Sequence, residues 1–310
     1  MKIVFFGSSD FSKPSLKALA EAGFAPELVV TKPDAPRGRG RKIYPAPVRL
    51  VAEELELPCE QPEDPNGEEV VAKLNELKPD LGVVVSYGVV MSPELFGAPA
   101  NGSINAHASL LPLYRGAAPI QHAIKDGHLR TGITIMKIAE KLDTGDILFA
   151  DETAIDSRET AGQLTDRMAE MAGQSLVKAC EMIKSGADTW TPQDDSQATH
   201  APKFNKPDGV IDWSRPAEEI ALLVRAVTPK PGAQTRLGAK RLIVMEGEVE
   251  QDLYGLAEPG RVLSGGEEGI RICTGHDLYR IIRIKPENGR NMTAGEFVRG
   301  HPFPPDARFG

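Results

Sequence analysis

Five residues, Leu81-Gly82-Val83-Val84-Val85, constrain the fold more than any other stretch of this chain. They present no polar face, and a strand without one is buried on both sides, as in parallel sheets covered by helices. The opening run, residues 2–7, is equally apolar, and a helical pattern follows over 12–22. Leu28 to Thr31 reads as the next strand. Helical patterns recur at 47–56 and 67–77, the second with Val70, Val71 and Leu74 on one face. Then come a strand holding Asn105 and His107, a helix near 117–125, a strand at 132–138 and a long amphipathic helix over 160–184. This alternation predicts an α/β fold, a doubly wound parallel sheet occupying residues 1–187.

The pattern then breaks. Residues 188–208 hold Thr191-Pro192-Gln193-Asp194-Asp195-Ser196-Gln197 and further prolines at 202 and 207, which is linker composition. Residues 209–310 form the second domain. There a helix at 216–227 precedes short strands separated by glycine turns: Arg241 to Met245, Gly260 to Leu263, Gly269 to Cys273 and Leu278 to Ile284. Strands of that length and spacing suggest a small β-barrel.

Whole classes of function drop out on composition. No run of 18 apolar residues exists, and the N-terminus is a strand pattern rather than a charged leader, so neither a membrane span nor a signal peptide is expected. Cys59, Cys180 and Cys273 are far apart and fit buried thiols in a reducing, cytoplasmic setting. His122, His128, His200, His276 and His301 lack ligand spacing, so no metal is expected. A dinucleotide site would need three glycines after the first strand, whereas Gly7-Ser8-Ser9-Asp10 has one. No apolar stretch stands apart from the core, which favours a monomer.

Chemistry concentrates in Ser103-Ile104-Asn105-Ala106-His107-Ala108-Ser109-Leu110-Leu111-Pro112. Asn105 and His107 lie two apart in a strand, so both side chains face the same way. Pro112 cannot donate to a central ladder, so the strand stops there. An amide beside an imidazole can orient a carbonyl oxygen and move a proton, as acyl transfer requires. Polar groups at the end of a buried strand also sit where open α/β sheets hold ligands. The plainer reading is a strand end whose polar side chains satisfy nearby backbone. Leu142-Asp143-Thr144-Gly145-Asp146 likewise suits a tight turn with an Asp side chain on its own backbone.

Taken together, Asn105-x-His107-x-Ser109-Leu110-Leu111-Pro112-x-x-Arg115-Gly116-x-x-Pro119 and Leu142-Asp143-Thr144-Gly145-Asp146 resemble the signature of 10-formyltetrahydrofolate-dependent formyltransferases. Within that family the likeness is greatest to enzymes that formylate methionine already attached to initiator tRNA, and it runs from Lys2 to about Pro302. Two departures are small: Ser8-Ser9 stands where a Thr-Pro pair is expected before Asp10, and Ala108 stands where Gly is also common. The resemblance implies an OB-like C-terminal barrel. It also implies that Asn105 and His107 serve the formyl oxygen, with His107 handling a proton and Asp143 holding His107 or a water. Ser109, Leu110, Leu111 and Pro112 would then take the folate donor, the formyl carrier acting as co-substrate. Arg115 and Gly116 would line the amine side.

One further segment bears on the partner. The chain carries a net charge of −8, yet Arg37-Gly38-Arg39-Gly40-Arg41-Lys42 packs four cations into six residues. From Lys206 onward 15 basic and 15 acidic residues balance, so the excess acid lies in the N-terminal part. Arg37, Arg39, Arg41 and Lys42 on glycines read as a mobile loop suited to phosphate contacts, or as a solvated basic loop countering local acid. The resemblance implies contact with the acceptor stem of initiator methionyl-tRNA. Other occupants of the same chemistry are a glycinamide ribonucleotide or an amino sugar nucleotide. A formyl-folate hydrolase would share the trio but carry a domain before the first strand. A purely structural RNA-binding module would not need Asn105, His107 and Asp143 together.

Overall fold

The computed structural model describes residues 1–37, 42–252, 258–304 and 306–310. Two compact units emerge: residues 1–119, 131–153 and 165–201 form the first, and residues 120–130, 154–164 and 202–310 the second. The stretch expected to be linker thus divides, with residues 188–201 belonging to the first unit.

In chain order the first unit opens with β1 (Ile3–Gly7), α1 (Ser12–Glu21) and β2 (Leu28–Val30). A hairpin, β3 (Ala35–Arg37) and β4 (Lys42–Tyr44), precedes α2 (Pro47–Glu54) and β5 (Cys59–Glu60). Next come α3 (Glu68–Leu77), β6 (Leu81–Val85), α4 (Pro93–Gly97), β7 (Ser103–His107) and α5 (Pro119–Lys125), which from residue 120 on belongs to the second unit. β8 (Arg130–Lys137), β9 (Ile147–Ala154) and α6 (Ala161–Ser185) complete the α/β part of the chain. The local reasons are ordinary ones. Pro47 and Pro93 sit in first turns, where a missing N–H costs nothing. Glu68 and Glu69 face the positive end of α3.

The main sheet has the order β5-β2-β1-β6-β7-β8-β9. β5, β2, β1, β6 and β7 pair in parallel, and the order reverses direction beside β1. β1 and β6 are buried at every position, as expected of strands covered on both faces. On one face Val4, Phe6, Leu28 and Val84 pack with Val70, Leu74 and Leu95 from α3 and α4. Here the expected parallel sheet needs one refinement: β8 runs antiparallel to β7, with Asn105 opposite Met136 and His107 opposite Thr134. The edge strand β9 escapes sequence reading because Asp151 and Glu152 interrupt its apolar run. The structure places Asp151 against Ser175 and Lys178 of α6, at 2.7 and 3.0 Å.

In the second unit α7 (Ala217–Val227) is followed by β10 (Ala233–Leu237) and β11 (Lys240–Glu250). Then come β12 (Val262–Gly266), β13 (Gly269–Cys273), β14 (Leu278–Pro286), β15 (Met292–Thr293) and α8 (Ala294–Gly300). The strands form an antiparallel sheet ordered β10-β11-β14-β13-β12, with β15 on β14. The chain end then bridges its two edges. Arg236 and Gly310 exchange backbone hydrogen bonds beside β10, while Val262 of β12 donates to the Ala307 carbonyl. This closure gives the expected barrel-like domain. Trp213, Val224, Val244, Ile272, Tyr279, Ile281, Phe297 and Phe309 fill it.

Tyr279 is fully buried, and its hydroxyl has no hydrogen-bond partner among the described residues. Burying an unpaired hydroxyl costs free energy, so Tyr279→Phe is expected to stabilise the protein by about 1 kcal/mol. A urea unfolding midpoint no higher than the parent's would show that the hydroxyl is paired in solution.

Candidate active site

β7 delivers Asn105 and His107 to one side of its C-terminal end, as the period-2 geometry of a strand requires. Asn105 is half-buried, and its amide has no partner among the described residues. His107 is 6% exposed, and both of its ring nitrogens face protein groups. Its Nε2 lies 2.9 Å from the Tyr114 carbonyl oxygen, and its Nδ1 lies 3.7 Å from Asp143 Oδ1. A carbonyl only accepts, so Nε2 carries hydrogen and donates. Nδ1 is therefore the ring atom available for proton exchange, with a carboxylate facing it beyond direct hydrogen-bond range.

Asp143 does not bond its own turn. Its Oδ2 accepts the Gly116 N–H at 2.8 Å, and the group is 8% exposed. Thr144 serves the turn instead, donating to the Lys141 carbonyl at 2.9 Å. Asp143 has φ 55°, a left-handed conformation, and its side chain faces His107. Gly116 is required twice over: its φ is 119°, and a Cβ would sit 2.8 Å from the Ala201 carbonyl oxygen. At Gly145 a Cβ would collide with the Lys137 carbonyl oxygen. Gly145→Ala is therefore expected to displace the Asp143 turn and cost about 1–3 kcal/mol in stability. Thermal unfolding measures this, and an unchanged midpoint would mean that the backbone gives way freely.

The structure treats Ser109 to Pro112 unevenly. Ser109 is fully buried, its hydroxyl donates to the Leu113 carbonyl at 2.6 Å, and its carbonyl accepts from Thr134. Leu111 is buried and donates its N–H to Thr134 Oγ1 at 3.1 Å. The partly exposed side chains are Leu110 and Pro112. Of the four expected to take the donor, only those two present surface, while Ser109 and Leu111 are bonded within the turn.

Arg115 is 6% exposed, and its guanidinium donates to Gln193 Oε1 at 2.7 and 3.1 Å and to Asp195 at 2.7 Å. Sequence reading missed Gln193. Its only signal was a polar residue in a stretch of linker composition.

The basic segment is not an irregular loop where it is described. β3 and β4 pair antiparallel, Ala35 with Tyr44 and Arg37 with Lys42, and Lys42 is exposed. Arg39 and Arg41 lie outside the described residues. Asp34 anchors the hairpin base: it accepts from Ala46 N–H, Gln61 Nε2 and Arg49 Nη1 at 3.2, 2.7 and 2.7 Å. The Gln61 hydrogen bond, ahead of the Ala46 and Arg49 contributions, lowers the Asp34 pKa from its ordinary value. The thiols play no comparable part. Burial pushes Cys59 up to about 11 and Cys180 up to about 12, so both stay protonated at neutral pH. No group of three or more potential metal ligands occurs among the described residues. A groove of about 970 Å³ beside α1, α2 and α6 contains none of Asn105, His107 and Asp143.

Two family models cover most of the chain: formyl transferase over residues 1–180, and formyl transferase, C-terminal domain, over residues 203–302. The curated methionyl-tRNA formyltransferase of Heliobacterium modesticaldum is 41% identical over 317 aligned positions, covering 100% of both chains. The chain belongs to the methionyl-tRNA formyltransferase family. Among solved structures, an N-formyltransferase from Helicobacter canadensis, in complex with folinic acid and dTDP-3-aminofucose, overlays 91% of this chain and 99% of its own. Its TM-score is 0.67 at 16% identity, which speaks for the fold. HypX from Aquifex aeolicus, in a multiply substituted variant, overlays 97% of this chain with TM-score 0.65 at 20% identity. The chain spans about half of HypX, 48% of its length. Family membership agrees with the resemblance carried by residues 105–119 and 142–146.

Proposed function

We propose that this protein transfers the formyl group of 10-formyltetrahydrofolate to the α-amino group of methionine on charged initiator tRNA. The product is N-formylmethionyl-tRNA for translation initiation. The amine nitrogen attacks the formyl carbon, the bond from that carbon to folate N10 breaks, and one proton passes from the amine to N10. Charge builds on the formyl oxygen on the way. The Asn105 amide is oriented to donate to that oxygen, and His107 stands beside it. His107 Nδ1 relays the proton, and the Asp143 carboxylate facing it stabilises the imidazolium that forms. The side chains of Leu110 and Pro112 offer the donor an apolar surface. Arg115 and Gly116 border the amine side, and the basic segment with Arg37, Arg39, Arg41 and Lys42 meets the acceptor stem.

One observation carries this reading: a buried imidazole bonded to the Tyr114 carbonyl and faced by the Asp143 carboxylate, two strand positions beyond an amide without a partner among the described residues. Whole-length kinship with tRNA-directed enzymes supports the choice of acceptor. We further infer a monomer working in the cytoplasm; no described helix is long and apolar enough to cross a membrane. The decisive experiment offers the protein a 10-formylfolate donor with charged initiator tRNA, an amino sugar nucleotide or glycinamide ribonucleotide. Faster formylation of either small amine, compared at kcat/KM, would overturn the assignment of the acceptor.

A further inference from the structure

Residues 181–202 fall between the two formyl transferase domains recognised in this chain, yet they hold both loops that flank His107. Gln193 has its amide hydrogens on two carbonyls, those of Asp143 at 2.9 Å and Gly145 at 2.8 Å. Its own oxygen accepts from Arg115 Nε and Nη2. One side chain thereby joins the turn that aims Asp143 at His107 Nδ1 to the loop whose Tyr114 carbonyl fixes Nε2. Thr199 adds to the same brace. Its hydroxyl accepts the Tyr114 N–H at 2.8 Å, and its carbonyl accepts the Arg115 N–H at 2.9 Å. Ala201 donates its N–H to the Arg115 carbonyl and accepts the Ala118 N–H at its own carbonyl.

The Asp143 turn needs such support. A non-glycine residue held at φ 55° is in a sparsely populated conformation, and it persists when its surroundings over-determine it. Gln193 supplies two donors there at once. A carboxylate or hydroxyl in its place could not give two hydrogens while also accepting from a guanidinium.

We infer that Gln193 is a positioning residue for formyl transfer, setting the Asp143 carboxylate against His107 by clamping the Asp143–Gly145 turn to Arg115. This rests on the assignment of Asn105, His107 and Asp143 as the reacting groups. Gln193 touches neither substrate; it acts through Asp143.

The test compares Gln193→Ala and Gln193→Glu with the parent and with His107→Ala. Gln193→Glu keeps an acceptor for Arg115 but loses both donations to the turn. Each variant is checked by thermal unfolding and by titration with a folate ligand, which counts intact donor sites. The expected result is a full complement of sites at unchanged affinity, with kcat lowered by about 10²-fold in both variants and KM within about three-fold. Loss of folded protein alone would lower the number of sites in step with kcat, and that outcome overturns the inference. So does parental turnover in either variant, and so does a defect confined to Gln193→Ala, which would assign the effect to Arg115.

The two readings fail separately. If the parent formylates a small amine and not tRNA, the acceptor is wrong, and the same comparison is read with that amine. If His107→Ala is fully active, the assignment of the reacting groups fails and takes the clamp with it. A parent inactive on every acceptor overturns both.

Discussion

His107→Ala, Asn105→Ala and Asp143→Ala are each expected to lower turnover by about 10²-fold or more while the protein stays folded. In the proposed mechanism His107→Ala removes the proton carrier, and Asn105→Ala the amide that meets the developing oxyanion. Asp143→Ala does two things, because its carboxylate faces His107 Nδ1 with one oxygen and accepts the Gly116 N–H with the other. Asp143→Asn separates them: the amide oxygen still serves Gly116, while the negative charge beside the imidazole is gone. If the charge matters, Asp143→Asn is impaired almost as much as Asp143→Ala yet melts near the parent. The double variant of His107 and Asp143 should lose little more than His107→Ala alone, since groups acting as a unit are not additive. Single-turnover rates with circular dichroism as the folding control provide the measurement. Near-parental turnover in folded His107→Ala would end the proposed mechanism, and a mild Asp143→Asn effect would confine Asp143 to holding the Gly116 N–H.

The second large effect concerns the acceptor. Replacing Arg39, Arg41 and Lys42 together with Ala should weaken tRNA binding and flatten its dependence on salt. Each phosphate-reaching cation contributes close to one unit of slope in log K against log salt, so the slope should fall by roughly two to three. Affinity for the folate donor should stay unchanged, because the surface proposed for that ligand is Leu110 and Pro112, just beyond β7. Stability should hardly move, since solvated charges contribute little to it. Asp34, Arg49 and Gln61 fasten the hairpin base and are left intact. Initial rates against tRNA concentration at two salt levels, with a parallel donor titration, decide the matter. Parental behaviour of the triple variant would leave the segment a solvated basic surface and favour a small amine as acceptor.

Much of the first unit was legible because its information is local. β6 reads as a strand buried on both faces and β1 as an apolar strand, and both are buried throughout. The helix expected over 160–184 is α6, Ala161–Ser185, since an amphipathic period held for 25 residues admits little else. β9, by contrast, lies at the sheet edge with every second residue facing outward, so Asp151 and Glu152 erased its signal. β12 begins at Val262 rather than Gly260, because Gly260 hydrogen-bonds across to Cys273 and Phe309 before the ladder proper starts. The basic segment read as a loop because glycine content outweighs the short pairing of Ala35 to Arg37 with Lys42 to Tyr44.

Within the site, the sequence by itself determined which chemical groups exist and that Asn105 and His107 share a side, because strand periodicity is a local property. It did not determine what each group touches. That Asp143 faces His107 from 36 positions further along the chain, rather than bonding its own turn, depends on a left-handed backbone fixed by sequence-distant neighbours. That Ser109 turns inward depends on Thr134 from the antiparallel strand β8. That Gln193 closes on both flanking loops depends on residues 188–201 returning to the first unit instead of leaving it. Periodicity and residue type act over a few residues and are written in the chain. Hydrogen bonds between distant loops form only after the core has brought their ends together, so tertiary structure alone decided them.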